Sequence, residues 1–140
     1  MKIFFIFIFV VLISQAKVLN TISQTKQLCH QGVVLLSQEK LEASFELFKP
    51  FWPFDIQELK SISKTTSTQL VLIAKRYGKI LGTEYIKTSK VGKSFLKHTY
   101  TINLENHALR YMCVFYKPKK TWVLNSILWD DKIGLLFSKD

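Results

Sequence analysis

At Gly78 the apolar period of this chain changes, and that change constrains the fold more than any other feature. Before it, Leu59, Ile62, Thr66, Leu70, Ile73 and Tyr77 recur at helical spacing and form one stripe. After it the period is two: Leu96, His98, Tyr100, Ile102 and Leu104 share one side of an extended segment, and Lys97, Thr99, Thr101 and Asn103 share the other. Lys75 and Arg76 just before Gly78 suit the negative end of a helix dipole, and glycine is the common residue just past such an end. A chain that is helical first and extended afterwards folds as α+β, with helices laid on an antiparallel sheet.

The helical part divides into three. The first helix is expected over about 21–37, where Ile22, Cys29, Val33 and Leu36 recur at helical spacing, so Cys29 faces the core. A short second helix, about 38–48, lines up Leu41, Phe45 and Phe48, and Pro50 and Pro53 end it. Asp55 and Glu58 have the spacing of a capping box and start the third helix. Strands are expected at about 80–88, 94–104, 108–117 and 121–129, joined by turns short enough for hairpins, hence a four-stranded meander.

Residues 1–16 stand outside this pattern. Lys2 precedes an unbroken apolar run over 3–13, and Ser14 and Ala16 give the small-x-small pattern read by signal peptidase. The run is shorter than the roughly 20 residues a membrane span needs. A cleaved secretory signal peptide is expected, with the exported chain, periplasmic or secreted, beginning near Lys17. Residues 17–140 then form a single domain, with no repeat and no linker. Two cysteines in an oxidising compartment allow one disulfide, Cys29 to Cys113; two buried thiols are the alternative. His30, His98 and His107 have no metal-ligand spacing with them, so neither metal nor cofactor is expected.

Charge is uneven. Residues 17–74 carry a net +1 and residues 75–140 a net +8. An exported basic protein meets anionic envelope surfaces, whereas nucleic acid is not expected in that compartment.

Longer stretches carry a resemblance. Leu41-Glu42-Ala43-Ser44-Phe45-Glu46-Leu47-Phe48-Lys49-Pro50, Arg76-Tyr77-Gly78-Lys79-Ile80-Leu81-Gly82-Thr83-Glu84-Tyr85, Phe115-Tyr116-Lys117-Pro118 and Trp122-Val123-Leu124-Asn125-Ser126-Ile127 are similar to small bacterial exported proteins of the nuclear transport factor 2-like (cystatin-like) α+β cone. The resemblance covers nearly all of residues 17–140. It implies a pocket between the helices and the concave sheet face but no activity, because cone folds host isomerases, dehydratases, hydrolases and pure binding proteins.

The residues expected to line such a pocket are Tyr77, Tyr85, His98, Tyr100, Tyr111 and Trp129. A cone-fold isomerase needs a carboxylate base beside a tyrosine donor. No Asp or Glu occupies an inward strand position here: Glu84 flanks the first strand, and Asp130-Asp131 follow the fourth, where they suit a helix cap. An exported, non-enzymatic binding or interaction module is therefore expected. A small isomerase- or hydrolase-like enzyme using His98 and a pocket tyrosine is the alternative.

The third and fourth strands are apolar on both sides, so the face away from the helices also needs cover. Met112, Val114 and Tyr116, grouped with Val123, Ile127 and Trp129, are expected to form it. Residues 133–137 are too few to cover it all. A homodimer or envelope partner through this face is one expectation, and a monomer whose curvature tucks the face away is the other.

Overall fold

A computed structural model describes residues 17–139; the leader read at 1–16 lies outside them. Three helices come first, α1 (Ile22–Ser37), α2 (Leu41–Phe48) and α3 (Ile56–Tyr77). Four strands follow, β1 (Ile80–Val91), β2 (Phe95–Leu104), β3 (Ala108–Tyr116) and β4 (Val123–Asp130). Short 3-10 turns, Lys49–Phe51 and Ile133–Phe137, follow α2 and β4. Each strand pairs antiparallel with its neighbour in sequence, so the sheet is an α+β meander, curled but not closed, with β1 and β4 at its edges.

Local chemistry sets the helix ends. Thr21 accepts from the Gln24 amide, and the Gln24 side chain accepts from the Thr21 amide, a reciprocal cap that starts α1. Asp55 caps α3 by accepting from the Gln57 amide at 2.9 Å. Gly78 ends α3 at φ 86°, and a side chain there would collide with Glu105, so only glycine lets α3 turn into β1. The same turn is tied down by Asn106 N–H to Tyr77 O and Glu105 N–H to Lys79 O, both 3.0 Å.

The helices cover one face of the sheet. On it, Leu96, His98, Tyr100 and Ile102 of β2 lie opposite Phe115, Cys113, Tyr111 and Leu109 of β3. All eight are buried. α1 crosses them, and Cys29 is joined to Cys113 by a disulfide with Cα atoms 5.9 Å apart. The buried side of α1 is Thr25, Leu28, Cys29, Gly32, Val33 and Leu36, whereas Ile22, expected in that stripe, is exposed. Thr25 replaces it because its hydroxyl has a buried partner. Gly32 is there because the Phe48 ring of α2 fills the space a methyl group would need.

Two expectations about the opposite face are corrected. Ile127 and Trp129 do not belong to it: they pair with Cys113 and Tyr111 and so lie on the helix side. The cause is a bulge. Val114 pairs with Ser126 and Phe115 with Leu124, leaving Asn125 extra, and one extra residue moves each later side chain to the other face. The outer face of β4 is instead Val123, Ser126 and Leu128. Nor is the alternation in β2 open to water on its polar side. Thr99 and Thr101 are buried, as is Met112 beside them. The turn Ile133–Phe137 packs on β3, and the chain end reaches β1, where Lys87 Nζ donates to Ser138 O at 3.4 Å. The C-terminal segment thus covers the middle of this face, leaving Phe95, Tyr116 and Leu128 at its margins exposed.

Candidate functional site

The six residues expected to share one pocket occupy three places. Tyr85, His98 and Tyr100 gather under the start of α1. Tyr77 and Trp129 lie at the end of α3. Tyr111 sits between these groups and is buried.

The first group is a closed hydrogen-bond chain. His98 Nε2 lies 2.8 Å from Thr25 Oγ1, and its Nδ1 lies 2.8 Å from Thr88 Oγ1. Thr25 donates its hydroxyl proton to Ile22 O at 2.6 Å, so toward His98 it accepts, and Nε2 carries the ring proton. Nδ1 then accepts from Thr88, and Thr88 accepts from the Tyr85 hydroxyl 2.8 Å away. Every hydroxyl in the row donates once, in one direction, from Tyr85 to the Ile22 carbonyl. Burial, reinforced by the nearby Lys26 charge, lowers His98 to about 4, so it stays neutral near pH 7. His98 is inaccessible and both its nitrogens are occupied. Tyr100 packs edge-on to Tyr85, and burial beside it pushes its phenol up to about 12. Lys26 lies 3.6 Å above the ring of Tyr85, which is itself exposed.

The second group is held just as firmly. Tyr77 donates to Asp131 Oδ2 at 2.7 Å, a bond that holds its phenol above the ordinary value. His107 stacks on the Tyr77 ring and donates from Nε2 to Asp131 O at 2.9 Å. Trp129 Nε1 donates to Thr66 of α3 at 3.2 Å. Asp130 does not cap a helix as expected. It takes both nitrogens of the Arg110 fork, which holds its carboxyl below the usual range, and it accepts from the Lys132 amide. Tyr77, Trp129 and Asp131 line a shallow cleft of about 330 Å³.

The larger opening lies where none of the six residues is. A groove of about 850 Å³ runs between the end of α1, the second half of α3 and the far ends of β1, β2 and β3. Its wall is apolar: Leu36, Leu70, Ile73, Ile80, Leu104 and Leu109. Lys75, Lys79 and Glu39 stand on the lining. Leu70 and Ile73 belong to the apolar stripe of α3. The signal for a groove was that Val71 beside them is also apolar, which a helix with a single buried face does not need; it is 57 % exposed. A cleft of about 560 Å³ between α2 and α3 is rimmed by Glu42, Glu46, Lys60 and Lys64, opposing charges that largely neutralise one another.

Among the described residues, no group of His, Cys, Asp and Glu is placed to hold a metal, and no helix is long and apolar enough to cross a membrane. No family model, curated protein or solved structure matches this chain.

Proposed function

We propose that this protein is an exported, non-enzymatic binding module of the nuclear transport factor 2-like type, which holds an amphipathic ligand with its apolar part in the groove between α1, α3 and the sheet. The observation that carries the reading is the groove wall, built mainly from aliphatic side chains with no carboxylate–tyrosine pair converging on it. The polar groups suited to catalysis are engaged elsewhere: His98 with Thr25 and Thr88, Tyr100 with the Lys26 carbonyl, and Tyr77 with Asp131. Two lysines against one glutamate on the lining favour a ligand with an anionic head.

Export is supported by the leader pattern of residues 1–16 and by the disulfide, a bond that persists in oxidising compartments.

Ala74 lies on the groove wall and is exposed, so Ala74→Phe fills the groove from a helix surface without emptying the core. The test is displacement of an environment-sensitive fluorescent fatty acid from wild type and variant. Saturable binding by the wild type, weakened at least about tenfold by Ala74→Phe at equal thermal stability, is the expected result. Equal binding by both proteins, or none by either, removes the groove as the site.

A further inference from the structure

The two lysine-rich hairpin turns lie at the same end of the sheet. Phe95 at the start of β2 pairs with Tyr116 at the end of β3, which brings the β1–β2 turn beside the β3–β4 loop. Lys90, Lys93, Lys97, Lys117, Lys119 and Lys120 fall in or next to these turns. The sequence stretches at this end, 17–28, 88–98 and 113–126, contain no Asp or Glu. The acidic residues of the sheet, Glu84, Glu105, Asp130 and Asp131, belong to the other end.

Apolar side chains stand among these cations. Phe95 and Tyr116 stack with ring centroids 5.2 Å apart and remain 49 % and 36 % exposed; Val91 beside them is 71 % exposed. The chain also joins the fold here. Leu19 bridges to Trp122 of the β3–β4 loop, so Lys17 and the exposed Val18 extend from this end.

We propose that this end docks on an anionic phospholipid bilayer, with Phe95 and Tyr116 set into the headgroup boundary and the lysines over lipid phosphates. A surface that offers negative charge outside and an apolar layer beneath matches a ring of cations around exposed aromatic and aliphatic side chains. A soluble polyanion matches the cations alone and leaves Phe95 and Val91 without a partner. A second copy paired about a twofold axis brings lysines against lysines. The groove lies at the opposite end of the sheet and stays free when the protein is docked, so this inference does not rest on the groove.

The test is co-sedimentation of the folded chain from Lys17 onward, in which all the elements described above lie, with phosphatidylcholine vesicles and with vesicles that also contain phosphatidylglycerol. Binding only to the latter, falling steeply as salt is raised, is expected. The exposed-site variant Lys93→Glu/Lys119→Glu/Lys120→Glu is expected to bind at least about tenfold more weakly. Phe95→Ser/Tyr116→Ser is expected to lose the salt-resistant part of the binding. Lys60→Glu/Lys64→Glu on α3 serves as a charge control and is expected to bind as wild type. Far-ultraviolet circular dichroism and an intact disulfide establish that each variant is folded. Indifference to phosphatidylglycerol, or a charge reversal without effect, overturns the proposal. Unchanged vesicle binding by the aromatic variant, together with full displacement by inorganic polyphosphate, overturns it in favour of a polyanion. A stable dimer by light scattering that Phe95→Ser/Tyr116→Ser abolishes overturns it in favour of a second copy.

Discussion

Cys29 of α1 and Cys113 of β3, 84 positions apart, are joined at the centre of the helix–sheet interface, and neither is exposed. The bond closes a loop that holds most of the fold, from the middle of α1 to the middle of β3. Constraint of the unfolded chain by a loop of this length is worth about 4–5 kcal/mol. The Cys29→Ala/Cys113→Ala variant is expected to lose stability of that order in urea denaturation. A loss below about 1 kcal/mol would show that the bridge is incidental to the fold.

Gly32 and Gly134 make a matched pair. At Gly32 a methyl group runs into the Phe48 ring, whereas at Gly134 nothing lies within 4 Å. Gly32→Ala is expected to cost about 1–3 kcal/mol by overpacking the α1–α2 contact, and Gly134→Ala to change stability by less than about 0.5 kcal/mol. Thermal melts of the two variants decide it. Equal effects would contradict the close approach of α1 and α2.

His98 makes stability depend on pH in one direction. Its folded value, about 4, lies below the ordinary 6.5, so between these values the unfolded chain binds the extra proton. The contribution is present in full above pH 6.5 and is lost as pH falls toward 4. The shift corresponds to a loss on the order of 3 kcal/mol. Urea denaturation at pH 7 and pH 4.5 is expected to show the wild type weakening more than His98→Gln, which cannot titrate. Parallel pH profiles would mean that the ring is not held neutral.

Much of this architecture is legible in the sequence. The change of period at Gly78 gives the order of elements, because one backbone geometry puts apolar side chains on a face every 3.6 residues and the other every two. Cys29 could be placed on the inner side of α1 by spacing alone, and Cys113 is its one possible partner, but whether the two sulfurs meet depends on where α1 crosses β3. Register is where the reading stopped. The bulge at Asn125 has no sequence mark in an already two-sided apolar strand, and it moved Ile127 and Trp129 to the helix face. Thr25 was passed over because a polar residue on a buried stripe is intelligible only once His98 lies against it. The pocket tyrosines failed to converge for a related reason: their hydroxyls found separate partners, Tyr85 with Thr88 of β1, Tyr100 with the Lys26 carbonyl of α1, and Tyr77, itself on α3, with Asp131 beyond β4.

The covered outer face separates Met112 from Leu128, which are paired across β3 and β4. Met112 is buried beside the C-terminal segment, while Leu128 is 49 % exposed. Met112→Lys is expected to cost about 3 kcal/mol or more by burying a charge, and Leu128→Lys to leave stability within about 0.5 kcal/mol of wild type. Limited proteolysis is expected to release the C-terminal residues faster in Met112→Lys. If Met112→Lys is as stable as wild type, the C-terminal segment does not cover that face.

The groove of the exported chain is proposed to carry an amphipathic ligand. Native mass spectrometry of protein recovered from the extracytoplasmic fraction tests it most directly. The predicted result is a protein mass beginning near Lys17, with a bound amphiphile that is released on denaturation and absent from Ala74→Phe. A mass that retains residues 1–16, or ligand-free protein that takes up no added amphiphile, would contradict it.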